Sequence, residues 1–324
     1  MKALVTGASG FIGQHLVKAL LSQSWDVVGL THSAQGADEL KNLSCRIETG
    51  DVTDFSSLKK AVQEVDAVFH LASLVSIRAS DRERLKEINV GGTQNIVSLC
   101  RELKIPRLIH ASSVVAVGAS ESPADLLNEN SPNILRKYRF PNCESKALSE
   151  EIVLKASRQG EIDAVVVNPS MVFGAGDAKK EMRRSNVMAA QGKLAFYPRG
   201  GLSVVAVEDV VSGMVAAFHR GVRSERYILS GENLTTRRLM EMHAEIAGVA
   251  PPQKAIPTPI LRGIGKIAQW MPWDAPINYE GAVAATLYHW FDCSKARQKL
   301  DYQPRPAIEA IRNSVEWMSE NRVI

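Results

Sequence analysis

Three glycines near the start of the chain constrain its folding more than any other feature of its 324 residues. Gly7, Gly10 and Gly13 stand three apart in Thr6-Gly7-Ala8-Ser9-Gly10-Phe11-Ile12-Gly13, after the apolar run Ala3-Leu4-Val5 and before the helical spacing of His15–Leu21. Glycine at this spacing lets the chain turn tightly off a strand, removes the Cβ where backbone must approach a phosphate, and lets a helix start close against the strand. The free N–H groups and positive end of that helix then attract an anion. The pattern implies a bound dinucleotide whose pyrophosphate rests on Gly7, Ser9, Gly10, Phe11, Ile12 and Gly13.

The chain that follows alternates short apolar runs with amphipathic stretches. Ala3–Thr6, Val27–Leu30, Arg46–Thr49, Ala67–Leu71, Arg107–His110 and Ala164–Val167 read as buried strands. Between them His15–Leu21, Ser57–Val65, Arg82–Arg101 and Ser145–Ser157 carry apolar residues at helical spacing. Such alternation predicts an α/β fold of Rossmann type, a doubly wound parallel sheet with helices on both faces. Beyond residue 170 the regularity fades. Val204–Val211 with a helix at Ser212–His219, and a late strand at Tyr227–Leu229, return to the sheet pattern. Prolines at 251, 252, 257 and 259 precede the apolar stretch Ile260–Trp273, and a helix over Ile308–Asn321 follows. The expected division is a dinucleotide-binding domain of residues 1–170 plus about 204–230, and a smaller substrate-binding lid of 171–203 and 231–324.

Composition narrows the partners. The net charge of +4 is dispersed apart from Lys179-Lys180 and Arg183-Arg184, which argues for a solvated surface rather than a nucleic-acid face. Cys45, Cys100, Cys143 and Cys293 form no Cys/His cluster, so neither a metal nor a disulfide framework is expected. No apolar run approaches the roughly 20 residues of a membrane span. Met1 leads straight into the first strand, leaving no room for a signal peptide, and the expected location is cytoplasmic.

Longer matches support a resemblance. The glycine loop is followed by Gly50-Asp51-Val52-Thr53-Asp54, Val68-Phe69-His70-Leu71-Ala72 and Asn89-Val90-Gly91-Gly92-Thr93-Gln94-Asn95. Then come His110-Ala111-Ser112-Ser113, Asn168-Pro169-Ser170-Met171-Val172-Phe173-Gly174, Val207-Glu208-Asp209-Val210 and Trp290-Phe291-Asp292-Cys293-Ser294-Lys295. In this order they resemble the extended short-chain dehydrogenase/reductases, the NAD-dependent epimerase/dehydratase family, in the branch of dihydroflavonol 4-reductase-like and 3β-hydroxysteroid dehydrogenase-like proteins. The resemblance implies that Asp51 and Val52 contact adenine, that Leu71, Ala72 and Ser73 line the cofactor, and that Asn89 belongs to the same site. It also implies that Pro169 and Val172 approach the nicotinamide. Asp51 as a helix cap is the plain alternative. At the end of the second strand, where a carboxylate would bind a ribose and repel a 2′-phosphate, the chain reads Leu30-Thr31-His32-Ser33. Thr31, His32 and Ser33 favour NADP(H) over NAD(H).

The family's chemistry uses a Ser, a Tyr and a Lys, the last two on one helix face four residues apart. Ser113 and Lys146 match; the tyrosine position holds Asn142. An amide can hydrogen-bond an oxygen but cannot deliver a proton near neutral pH. Three readings follow. The proton comes from Lys146, a water or Tyr138; or the chain binds its cofactor without turnover; or Asn142 is an introduced substitution. His70 reads as structural, and Cys143 has no evident base.

In the lid, Trp270, Met271, Trp273, Tyr279, Tyr288 and Trp290 suit a small, rather apolar or aromatic substrate, though Ile260–Trp273 also fits a plain core. The expected activity is an oxidoreductase of the carbonyl reductase or alcohol dehydrogenase type. A nucleotide-sugar epimerase or dehydratase, in which Arg183 and Arg184 would meet a phosphate, is the alternative. The resemblance also implies a homodimer through Arg82–Arg101 and Ser145–Ser157.

Overall fold

Side chains of the first strand part in two directions: Ala3 and Val5 enter one core, Leu4 the other. The computed structural model describes residues 1–62, 64–177, 183–268 and 278–324. Its first part runs β1 (Lys2–Thr6), α1 (Phe11–Ser22), β2 (Asp26–Thr31), α2 (Ala34–Leu40), β3 (Arg46–Thr49), α3 (Phe55–Ala61) and β4 (Ala67–His70). It continues with α4 (Arg82–Leu85), α5 (Gly92–Glu102), β5 (Arg107–Ala111), α6 (Val114–Val117), α7 (Pro141–Arg158) and β6 (Ala164–Pro169). The two-way split recurs at Phe69 against Val68, Ile109 against Leu108, and Val165 against Val166. Residues buried on both faces are the reason these strands read as continuous apolar runs.

The later elements are β7 (Met171–Phe173), α8 (Arg184–Ala190), β8 (Phe196–Pro198), β9 (Gly201–Ala206), α9 (Val207–Arg220) and β10 (Arg226–Leu229). After them come β11 (Glu232–Thr235), α10 (Thr236–Ala247), β12 (Lys254–Ile256), α11 (Thr258–Ala268), α12 (Tyr279–Ala284), β13 (Tyr288–His289), α13 (Ser294–Leu300) and α14 (Ala307–Glu320).

Seven strands form a parallel sheet in the order β10-β6-β5-β4-β1-β2-β3. Leu16, Leu20, Val210 and Met214 cover one face; Leu58, Ile96, Leu99 and Val153 cover the other. The strand order reverses between β1 and β4, opening a crevice at their carboxyl ends. A second sheet centres on β9, which pairs with β11, β13 and β7, and β8 pairs with β12. No helix among the described residues is long and apolar enough to cross a membrane.

Several boundaries differ from expectation. The helix expected at Ser57–Val65 starts at Phe55 because Asp54 caps it through Ser56 N (2.9 Å), and it ends at Ala61. The expected helix Arg82–Arg101 is three segments: α4, a π turn over Lys86–Gly91, and α5. The helix expected from Ser145 begins one turn earlier, with Pro141 in its first turn. Val204–Val211 divides at Ala206, where the chain leaves β9 for α9, and β9 lies in the second sheet rather than the first. The helices α2 and α10 were not anticipated. For α10 the signals were present: Thr235 caps Arg238 N (3.1 Å), and Gly248 closes the helix at φ +70°. Of Ile260–Trp273, residues 269–273 lie outside the described residues, and the rest belongs to α11.

Candidate active site

The glycine loop is built by crowding on one side and openness on the other. Gly7 has φ +67°, and a Cβ there would lie 2.8 Å from Ala72 N on the loop after β4. A Cβ on Gly13 would lie 2.1 Å from the Gly7 carbonyl oxygen, so only glycine lets α1 start this close to β1. Gly10 is exposed, and among the described residues its Cβ would meet only Gly7 O at 3.1 Å. No side chain caps α1, and its first turn holds no acid. This open helix start, facing the crevice between β1 and β4, fits a dinucleotide pyrophosphate.

At the end of β2, Thr31 is buried and its hydroxyl lies 3.2 Å from Ser9 Oγ. Ser33 caps α2, accepting from Gly36 N at 3.1 Å, and His32 is exposed. Gln14 Nε2 ties the Ser9 carbonyl to the Glu39 carboxylate, both at 2.8 Å. After β3, Asp51 does not cap α3; its Oδ1 accepts from Thr53 N and Oγ1 at 2.8 Å. Asn95 pins this turn by donating to the carbonyls of buried Val52 (2.9 Å) and Thr53 (3.1 Å).

A polar chain under the crevice fixes the loop after β4. Leu71 N and Ala72 N both donate to Thr6 Oγ1 (3.2 Å), and Thr6 Oγ1 lies 2.8 Å from His70 Nδ1. His70 Nε2 lies 3.2 Å from Thr93 Oγ1, which donates to the Asn89 carbonyl at 2.6 Å. Thr93 spends its proton on Asn89, so His70 carries its proton on Nε2 and accepts from Thr6. Burial, with the Lys146 charge adding to it, pushes the His70 imidazolium down to about 3. His110, 5.3 Å away ring to ring, is likewise held well below its ordinary value by burial, then by His70 and Lys146. Burial thus holds both rings in the neutral form, and both His70 nitrogens lie against threonine hydroxyls.

Asn89 joins this loop to α7. Its side chain exchanges hydrogen bonds with Leu74 N (2.8 Å) and Leu74 O (2.9 Å) and donates to Ser145 Oγ at 2.9 Å. Lys146 is buried and donates from Nζ to Ser73 Oγ at 2.9 Å, reaching the loop that packs on Gly7. Asn142, one turn before Lys146 on the same helix face, is buried, and its Oδ1 has no hydrogen-bond partner among the described residues. Ser113 ends the turn after β5 as the cap of α6, its Oγ accepting from Val115 N at 3.4 Å. Asn168, in β6, donates to the Ser113 carbonyl (3.1 Å) and to Glu150 on α7 (2.6 Å). Pro169 closes β6, and Val172 is buried in β7. The glycine loop, Leu71–Ser73, Asn89 and Lys146 thus share one connected set of contacts. His32 and Asp51 stand outside it.

Other candidates resolve clearly. Tyr138 stacks on Phe140 (5.2 Å, 7°) and turns its hydroxyl to Glu121 (3.4 Å), with Arg139 at φ +52° breaking the chain before α7. Arg183 is buried rather than exposed: it donates to the Val172 carbonyl and lies 4.3 Å over the Phe173 ring, which removes it from any phosphate. Arg184 is exposed. Lys179, Lys180, Trp270, Met271 and Trp273 lie outside the described residues. Tyr279 packs edge-on against Phe140 at 6.2 Å, and Tyr288 against Trp290 at 5.0 Å. Burial, followed by the Glu280 charge, pushes the Cys143 thiol up to about 12, so it is not a nucleophile at neutral pH. Sequence reasoning missed Glu280, which is buried beside this aromatic cluster. It also gave no role to Thr6, Thr93, Asn95 and Asn168, although all four lie in the quoted motifs.

The chain matches the family model of the NAD dependent epimerase/dehydratase family over residues 3–229. It is 29% identical over 331 residues to the sterol demethylase protein B of Methylococcus capsulatus, covering 100% of both chains. It is 29% identical over 330 residues to the 4-hydroxy-2-methyl-3-oxo-4-farnesyl-3,4-dihydroquinoline-1-oxide ketoreductase of Stigmatella aurantiaca, covering 97% of this chain and 96% of that one. Among solved structures, gox2253 superposes with a TM-score of 0.89 at 28% identity, covering 99% of each chain.

Proposed function

The chain belongs to the NAD dependent epimerase/dehydratase family, and from that premise we propose that it reduces the carbonyl of a small, rather apolar substrate with NADPH. The observation that carries this reading is the reach of Lys146 to Ser73, which brings the α7 ammonium to the crevice that the glycine loop borders. When bound, the reduced nicotinamide supplies the hydride.

The protein's own residues divide the remaining work. The glycine loop holds the pyrophosphate, Lys146 holds the adjoining ribose, and the Asp51–Val52 turn borders the adenine. Ser113 accepts one hydrogen bond from Val115 N and keeps its own proton to donate to the substrate carbonyl. Thr31, His32 and Ser33 offer a 2′-phosphate hydroxyls and an imidazole at the place where a carboxylate would repel it. Phe140, Val283 and Leu287 form a buried cluster at the start of α7, and its partly exposed members Val115 and Tyr279 give the substrate an apolar wall. The names of the sterol and farnesyl-quinoline relatives agree with that preference. The outer face of α7, where Leu148 is 47% exposed, is the surface through which two copies would pair.

The test is NADPH oxidation with benzil, 2-decanone and 5α-cholestan-3-one, using the chain and its Asn142→Tyr variant. Turnover by the unaltered chain supports the reading. A chain that binds NADPH tightly but turns over only as Asn142→Tyr is a cofactor-binding protein, the second reading that Asn142 favours.

A further inference from the structure

The first turn of α7 faces a second chain segment across an apolar cluster. Phe140 and Cys143 pack with Ala119 and Leu135 and, from the α12 side, with Val283 and Leu287. Two contacts hold α12 in place at its start. Tyr279 meets Phe140 edge-on, and Asn278, the cap of α12, donates from Nδ2 to the Ile77 carbonyl on the loop that carries Ser73. Glu280 follows Tyr279 directly and is only 8% exposed. Glu280 therefore starts from the point where the loop after β4, the start of α7 and α12 converge, and it acts electrostatically on Cys143, the residue next to Asn142.

Among the described residues, the charges around Glu280 do not neutralise it. Arg82 is the cation that acts on it, but that guanidinium is committed to Glu144 (2.5 Å) and the Arg139 carbonyl (2.8 Å). From α7 the titratable group that feels Glu280 is the neutral Cys143 thiol, on which Glu144 also acts; from α11, Lys266 lies over the Tyr279 ring at 5.9 Å. Burial outweighs the Arg82 attraction and raises the Glu280 carboxyl to about 7. An acid that exchanges its proton near ambient pH is best matched to general acid and base work.

We propose that Glu280 is a catalytic acid, delivering from α12 the proton that Asn142 cannot deliver from α7. The assignment rests on the carbonyl-reduction reading above. The carbonyl carbon gains the hydride that reduced nicotinamide dinucleotide provides, and the π pair of the C=O bond passes to oxygen. The new O–H bond forms as the Glu280 O–H bond breaks, and the carboxylate left behind is reprotonated from solvent. In the oxidative direction Glu280 takes the alcohol proton.

The experiment compares the chain with Glu280→Gln, Asn142→Tyr and the double variant, reading benzil reduction, NADPH dissociation constants and thermal melts. Glu280→Gln is expected to lose about 30-fold or more in kcat. Its NADPH affinity should stay within about twofold, and adding Asn142→Tyr should restore turnover. The unaltered chain should slow as pH rises through about 7, and Glu280→Gln should lose that limb. Independently of activity, 13C-carboxyl NMR of glutamate-labelled protein with NADPH should show one carboxyl titrating near 7 that is missing from Glu280→Gln. Unchanged kcat in Glu280→Gln, a loss that Asn142→Tyr does not rescue, or no such carboxyl would overturn the assignment alone. A chain that binds NADPH yet reduces none of the three ketones, with or without Asn142→Tyr, would overturn the proposed function and the assignment with it.

Discussion

Lys146 donates from Nζ to Ser73 Oγ at 2.9 Å, so the α7 ammonium and the loop after β4 form one wall of the crevice. The contact sits beside neutral His70 and His110, so neither imidazole adds a positive charge to that of the ammonium. Lys146→Met keeps the stem and removes the charge. Because a hydrogen bond to a charged group contributes about 1.5–3 kcal/mol, NADPH binding should weaken about 10- to 100-fold. The melting temperature should change little, since methionine fills much the same volume. Fluorescence titration with NADPH reads the first effect and a thermal melt the second. Equal affinity in the variant would detach Lys146 from the ribose.

The three glycines should fail in different ways when given a methyl group. Gly13→Ala drives a Cβ to 2.1 Å from the Gly7 carbonyl oxygen, a backbone collision that must move α1 off β1. A loss of about 3 kcal/mol in folding stability is expected. Gly7→Ala adds left-handed strain at φ +67° to its collision with Ala72. Gly10→Ala meets only one atom at 3.1 Å and should fold almost normally, yet bind NADPH at least about tenfold more weakly because its methyl occupies the phosphate approach. Thermal melts with and without NADPH separate fold glycines from ligand glycines. The same loss of stability at all three positions would defeat the distinction.

Why the sequence revealed so much of this site, and not the rest, has a physical explanation. The strands of the parallel sheet are buried on both faces, so β1, β4, β5 and β6 appear as apolar runs that little else produces. The glycine loop shows because its backbone geometry excludes every other residue at positions 7 and 13. Asn142 and Lys146 show because one helix turn links them. Glu280 was not legible. It reaches the start of α7 only through the packing of α12, far away in sequence, and nothing local marks a glutamate as buried. Arg183 misled for the same reason: its neighbours in sequence suggest a surface, and only the fold places it on Phe173.

Acid should destabilise the protein through its buried histidines. His70 takes up its proton at about 3 when folded and near 6.5 when unfolded. Between those values the unfolded chain binds more protons, so stability is complete above pH 6.5 and falls as pH drops toward 3. At pH 5 the loss from His70 alone should be about 2 kcal/mol. His70→Gln keeps hydrogen-bonding atoms but does not titrate. It should be less stable at pH 7.5 and should lose less on going to pH 5, as read by urea unfolding at each pH. A variant with an undiminished pH slope would mean that another group carries the effect.

Cofactor preference is tested most directly at His32, which is exposed at the end of β2 between capping Ser33 and buried Thr31. Its exposure means that substitution perturbs no core contact. A carboxylate there would stand at the strand end, where it can accept hydrogen bonds from ribose hydroxyls and would repel a 2′-phosphate. His32→Asp should therefore weaken NADPH binding about tenfold or more, leave NADH binding equal or stronger, and keep the melting temperature. Paired titrations of the chain and the variant with both dinucleotides supply the comparison. If the unaltered chain already prefers NADH, or if His32→Asp weakens both dinucleotides alike, the 2′-phosphate does not lie beside Thr31–Ser33, and the preference for NADPH is withdrawn.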